Sequence, residues 1–204
     1  MNYSEKQLQD LADIKLMMER SSRFLSLSGW SGISAGVLAL LGALAAFWLM
    51  RTSTASTLNA FLVADALIVL ALAISFSFFF SWRKAKRKGE TLWSPVTKKL
   101  LLNMAIPLIT GGIYCIILFS QEQTQFIAGA TLIFYGLSLI NAGRFTNQEA
   151  VILGIAEIIL GIGASIWHSY SLWIWATGFG LFHIVYGINL YYKYDRQEGN
   201  EKSH

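Results

Sequence analysis

Charge is what this chain has least of. Only 14% of its 204 residues are Asp, Glu, Lys or Arg, against about 25% in soluble domains. Cysteine occurs once, at Cys115, which excludes an internal disulfide, a dithiol redox pair and a cysteine-built metal site. No H-E-x-x-H, Walker loop or Cys/His cluster is present, so the chain offers no zinc-protease helix and no phosphate cradle. Neither a cofactor nor a metal is expected. The N-terminus opens on acidic and polar residues, and its first apolar run is too long for the core of a signal peptide.

Long apolar runs take the place of charge. Hydrophobic residues make up 54% of the chain, and the mean hydropathy is +0.49. Six runs stand out, at 24–50, 58–82, 99–120, 125–143, 149–167 and 171–192. Each is close to the roughly 20 residues that an α-helix needs to cross about 30 Å of hydrocarbon. A soluble core helix does not stay apolar on every face for that distance. The fold class is therefore all-α, a polytopic bundle of six transmembrane helices arranged as three hairpins. It is preceded by an amphipathic segment within 1–23 and followed by a tail at 193–204. Connections at 51–57, 121–124 and 168–170 are short, and the longest, 83–98, leaves no room for a separate soluble domain.

The distribution of basic residues gives an orientation. Lys6, Lys15, Arg20 and Arg23 precede the first span. Arg83, Lys84, Lys86, Arg87, Lys88, Lys98 and Lys99 lie between spans two and three, Arg144 between four and five, and Lys193, Arg196 and Lys202 after the sixth. Only Arg51 falls on the other side. The positive-inside rule then puts both termini in the cytoplasm. Trp30, Trp82, Trp93, Tyr191, Tyr192 and Tyr194 form an inner aromatic belt, and Trp48, Trp167, Tyr170 and Trp173 an outer one. The run Arg83–Lys88 suits anionic lipid headgroups. Nucleic acid is not expected, because no stacking platform accompanies the run. Residues 4–20 read as an amphipathic helix, with Ser4 and Gln7 at capping-box spacing and Leu8, Leu11 and Met18 at helical intervals. It either lies on the inner leaflet or docks a cytosolic protein or a second copy.

Fifteen of the 17 glycines lie in or at the ends of spans. Gly32 and Gly36 form a G-x-x-x-G. Gly129, Gly136 and Gly143, then Gly154 and Gly161, then Gly180 and Gly187 recur every seven residues. Such seams let helix backbones approach, so spans four to six read as a tightly packed core. Gly112, Gly129, Ile133, Tyr135 and Gly136 align at an offset of 51 with Gly163, Gly180, Ile184, Tyr186 and Gly187, a weak repeat of the second and third hairpins. Pro107 is placed to kink span three.

Three ionisable groups lie deep in the spans, where they are costly and usually face the bundle interior. Glu157 and His183 lie about 12 and 13 Å from the cytoplasmic end. Small residues share their faces, namely Ala150, Gly154, Gly161 and Ala164 for Glu157 and Ala176, Gly180 and Gly187 for His183. A short turn makes the two spans antiparallel neighbours, so a Glu157–His183 pair is expected. It reads either as an interhelical hydrogen bond or as a proton-responsive or ligand-binding pair. Tyr135, Ser138 and Thr131 share a polar face of span four that can complete a small cavity. Asp65 lies about 25 Å from the inner side, where it either meets Tyr114 or Thr177 or reaches outer water. Gly32-Ile33-Ser34-Ala35-Gly36 matches G-x-S-x-G, but that motif marks a nucleophile only on a strand–turn–helix elbow. A Ser34/His183 intramembrane hydrolase of the rhomboid type is not expected, since that family's other motifs are missing and packing glycines account for the pattern. No catalytic residue is assigned.

Two stretches carry a resemblance. They are Ile14-Lys15-Leu16-Met17-Met18-Glu19-Arg20-Ser21-Ser22-Arg23-Phe24 with Ser28-Gly29-Trp30-Ser31-Gly32, and Gly180-Leu181-Phe182-His183-Ile184-Val185-Tyr186-Gly187 with Tyr192-Lys193-Tyr194-Asp195. The chain resembles uncharacterised six-span inner-membrane proteins of bacteroidete-type bacteria. Its short glycine-rich hairpins are also loosely similar to the acid-resistance short-repeat membrane proteins. Neither resemblance implies an activity or a residue role. The function expected is non-enzymatic: regulatory, stress-related or interaction. The alternative is a small-solute or proton-linked transporter working at the Glu157/His183 layer. A water-filled cavity reaching Glu157 favours the transporter, and a dry, filled seam favours the first reading.

Overall fold

The computed structural model describes residues 28–89, 93–143 and 145–195. The amphipathic segment read at 4–20, Arg144 and the tail beyond Asp195 lie outside the described residues. Among the described residues, six helices are long and apolar enough to cross a membrane. They are α1 (Gly29–Thr52), α2 (Ala55–Lys88), α3 (Pro95–Ser120), α4 (Ile127–Ala142), α5 (Gln148–Ile166) and α6 (His168–Lys193). The chain is a multi-pass membrane protein. A 3₁₀ turn at Thr124–Phe126 leads into α4. α6 is composite, widening into a π-helical stretch at Ala176–Phe182 before it resumes as a regular helix at His183.

Local sequence explains several boundaries. Ser94 accepts a hydrogen bond from Thr97 N at 3.1 Å, and Pro95 follows at the first helical position of α3. Gly89 ends α2 in the left-handed conformation at φ 68°. Before that glycine nothing stops the helix, so α2 runs through the basic cluster that hydropathy alone places in a link. Its 34 residues span about 50 Å, some 20 Å more than the hydrocarbon. Arg83, Lys84, Lys86 and Arg87 therefore stand on a rigid extension.

α1 packs on α2 and α6, α6 on α5 and α4, α5 on α4, and α4 on α3. Two of these contacts are glycine seams built to the same plan. In α4, Gly129, Ile133 and Gly136 face Gly161, Ile158 and Gly154 of antiparallel α5. In α6, Gly180, Ile184 and Gly187 face Gly36, Ile33 and Gly29 of antiparallel α1. Each helix thus carries G-x-x-x-I-x-x-G. A Cβ built on Gly136 would lie 2.5 Å from the Gly154 carbonyl, and one on Gly161 would lie 2.8 Å from the Gly129 carbonyl. The counterparts are a Cβ on Gly36, 2.5 Å from the Gly180 carbonyl, and one on Gly187, 2.6 Å from the Gly29 carbonyl. In three of the four motifs the isoleucine Cγ1 covers the last glycine of the facing helix, as Ile133 on Gly161, Ile158 on Gly136 and Ile184 on Gly36. In the fourth it is the Ile33 backbone N that meets Gly187. No larger residue fits between backbones this close.

The opposite faces are dressed for lipid. On α5, Ile152, Ile155, Ile159, Ile162 and Ile166 are exposed, while Ala150, Gly154, Glu157, Gly161 and Ala164 are buried. α2 buries none of its central apolar stretch. In α3, Pro107 supplies no N–H to the turn before it, and the Ser138 hydroxyl of α4 donates to the nearby Met104 carbonyl at 3.1 Å.

At the basic end a polar clasp joins three helices. Asp195 Oδ2 accepts from the Gly29 backbone N at 2.9 Å, at the start of α1, and from Ser28 Oγ at 3.4 Å. Its Oδ1 lies 2.6 Å from Lys84 Nζ of α2. Beside it, Lys193 pairs with Glu149 at the start of α5.

The seams set a clear test. Gly36→Ala and Gly136→Ala each force two backbones apart, and each is expected to cost about 1–3 kcal/mol. Gly112 has nothing within 4 Å of its Cβ position, so Gly112→Ala is expected to be neutral. Reversible unfolding in mixed micelles measures all three. Equal losses at Gly112 and Gly136 would show that backbone contact does not hold the seams.

Candidate functional site

The motif that builds the seams also positions the polar groups. Its fourth position, just before the isoleucine, is Gly32 in α1, Leu132 in α4, Glu157 in α5 and His183 in α6. Its seventh is Tyr135 in α4 and Tyr186 in α6. Glu157 and His183 are therefore placed by neighbouring helices whose backbones are fixed at their glycines.

The carboxyl and the imidazole meet. His183 Nδ1 lies 3.4 Å from Glu157 Oε1. Both groups are removed from the surface, Glu157 at 0% exposure and His183 at 5%. The imidazole has two closer partners, the Tyr135 hydroxyl, 2.9 Å from Nε2, and the Gly178 carbonyl, 3.1 Å from Nδ1. That carbonyl belongs to the π-helical stretch, which carries Gly178 past the Glu157 carboxyl. A Cβ on Gly178 would collide with Glu157 Oε2 and lie 2.7 Å from Leu132 Cδ2. Among the described residues, neither oxygen of Glu157 has a hydrogen-bond partner.

Aromatic rings wall the site toward the opposite end of the bundle. Phe179 stacks on His183 with centroids 5.7 Å apart, and Tyr135 packs on both at 5.0 and 5.3 Å. Trp175 extends the column at 4.9 Å from Phe179, and its indole N–H donates to Thr131 Oγ1 at 3.2 Å. The site is thus a buried layer holding one carboxyl, one imidazole and one phenol. Such a set can bind and relay protons.

Other candidates lie elsewhere. Ser138, although 0% exposed, is turned to α3 and bonded to Met104, so it does not join Tyr135 at the imidazole. The Ser34 hydroxyl donates to the Ser31 carbonyl at 3.1 Å within α1. Asp65 is partly buried on α2, and Tyr114 packs its ring on Phe134 of α4 at 5.9 Å. A groove of about 260 Å³ between α5 and α6 is lined by Glu149, Leu153, Phe182, Tyr186 and Asn189. A depression of about 440 Å³ at the opposite end is lined by Asn59, Phe119, Ser120, Glu122 and Thr124. Neither includes Glu157 or His183. Among the described residues, no three His, Cys, Asp or Glu side chains converge as a metal-ligand set.

Sequence reasoning missed Gly178 and the Asp195 clasp. Gly178 lies outside the seven-residue glycine register, and five residues before His183 it is silent unless the turn between them is widened. Its role yields a prediction. Gly178→Ala is expected to destabilise the protein, and Glu157→Ala to relieve part of that loss, giving a coupling of about 1 kcal/mol. A double-mutant cycle in micelles measures it, and strict additivity would mean that the carboxyl does not press on Gly178.

Comparison with protein-family models, curated proteins and solved structures gives no match, so the reading of the site rests on its own geometry.

Proposed function

We propose that the protein is a non-enzymatic component of a bacterial cytoplasmic membrane, acting in regulation, stress response or protein interaction, with both termini on the cytoplasmic side. The observation that supports this most is the closed centre of the bundle. Among the described residues, the one deep ionisable cluster is closed in between α4, α5 and α6, with Glu157 at 0% exposure and the flanking backbones in direct contact. A solute carrier needs a cavity at that depth. The basic extension of α2 suits the anionic inner leaflet, where each Lys or Arg near the surface adds about 1 kcal/mol. A second copy or a cytosolic protein docking on residues 4–20 fits the same role.

The second reading is proton-linked transport through the Glu157/His183 layer. The lack of partners at both Glu157 oxygens favours it. Purified protein in sealed vesicles containing a pH-sensitive dye separates the two. Under an imposed gradient, proton flux is expected to match that of empty vesicles. Flux above that level, abolished by Glu157→Gln, would replace the first reading with the second.

Orientation is tested independently. In a Cys115→Ala background, Glu122→Cys is expected to react with an impermeant thiol reagent added outside intact cells, and Glu90→Cys to stay unlabelled. The opposite pattern would invert the topology.

A further inference from the structure

An oxygen of a carboxylate in a bilayer interior needs a donor, and Glu157 receives none among the described residues: His183 Nδ1, 3.4 Å from Oε1, is bonded to the Gly178 carbonyl instead. The groups around it are few. From α6 come the His183 imidazole and the Gly178 backbone, and from α4 come Leu132 and, behind the imidazole, Tyr135. Tyr186 of α6 is the other titratable group in this part of the core. Among the described residues, no cation is paired with Glu157, and Lys84 and Lys193 lie at the basic end with Asp195 and Glu149.

The same heavy-atom positions accept two arrangements of protons. In the first, the Tyr135 O–H donates to Nε2, Nδ1–H donates to the Gly178 carbonyl, and an ionised Glu157 is left alone. In the second, Glu157 carries a proton and donates it across the 3.4 Å contact to Nδ1, while Nε2–H donates to the Tyr135 oxygen over 2.9 Å. The second gives up the Nδ1–H bond to the Gly178 carbonyl, but only it gives Glu157 a partner without leaving an unpaired charge in hydrocarbon.

We propose that Glu157 is a binding site for a single proton, held as a neutral carboxylic acid in a chain of bonds that runs from Glu157 through His183 to Tyr135. The interconversion balances. A proton from water arrives at the Tyr135 oxygen, the phenol's own proton passes to Nε2, and the Nδ1 proton passes to Glu157 Oε1. The imidazole is neutral before and after, the phenol regains its proton, and the net change is one proton bound by the carboxylate. The loaded chain ties α5, α6 and α4 together, and the empty one sets an unpaired charge in their seam. This site goes beyond the proposed function and does not depend on it, since a closed bundle and a transporter can both hold it.

The test uses the full-length protein in lipid nanodiscs. The chain has three histidines, and His168→Gln with His204→Gln leaves the His183 ring as the only imidazole seen by nitrogen NMR. At neutral pH, Nε2 is expected to be protonated and Nδ1 bare. Infrared spectra are expected to contain a neutral carboxylic-acid C=O band that Glu157→Gln removes. Raising the pH is expected to remove the band and move the ring proton to Nδ1 in the same step. An Nδ1–H ring at neutral pH overturns the proposal. So does a carboxylic-acid band that survives Glu157→Gln, which would belong to Asp65. Should Glu157→Gln fail to fold, the tautomer of the two-histidine variant, which leaves the site intact, decides the matter alone.

Discussion

Two helices gain almost nothing in hydrocarbon by hiding apolar side chains from each other, because lipid is as apolar as they are. What remains is close packing of backbone on backbone, and this fold depends on it. Gly129, Gly136, Gly154 and Gly161 bring α4 and α5 together, and Gly29, Gly36, Gly180 and Gly187 do the same for α1 and α6. Both seams share α-helical partners with the polar layer. Glu157 and His183 occupy the same motif position on adjacent helices, so the packing that holds the bundle also sets their separation. A polar group fixed by backbone contact has little freedom to find another partner, and the missing donor at Glu157 follows from that rigidity.

The two ends of the bundle are held differently. At the basic end, side chains do the work, with Asp195 tying the start of α1 to Lys84 of α2 and Lys193 reaching Glu149 at the start of α5. At the other end the helices are joined by short turns, and aromatic rings fill the space, as where Phe47 meets Trp173 at 5.3 Å. Charged pairs are cheap where headgroups and water are near, and amphipathic rings suit the headgroup depth of the other end, which has few charges.

Six spans are legible from the length of the apolar runs, because hydrocarbon thickness leaves a helix no other way to satisfy its backbone. The true end of α2 is not legible that way. Hydropathy falls at Arg83 while helix propensity does not, since Trp82, Lys84, Ala85 and Lys86 all continue a helix until Gly89. The depth and small-residue faces of Glu157 and His183 can be read by counting turns. Which neighbour each polar side chain chooses cannot. Ser138 and Tyr135 share a face of α4, yet Ser138 bonds the Met104 carbonyl of α3, while Tyr135 stays with the imidazole. The pairing of α1 with α6 is the least visible contact, because its two halves lie about 150 residues apart and only the shared G-x-x-x-I-x-x-G spacing connects them.

That separation governs the order in which the bundle assembles in the membrane. The seam between α4 and α5 closes a short connection and can form as soon as both helices have entered the bilayer, at little cost in chain entropy. The seam between α1 and α6 cannot form until the last span is synthesised and inserted. Until then α1 waits in lipid with its glycine face open and only α2 beside it, and any other membrane helix with a complementary small-residue face competes for that groove. The Asp195 clasp lies just beyond the sixth span and reaches back to the first turn of α1, so it can engage only after this last partner arrives.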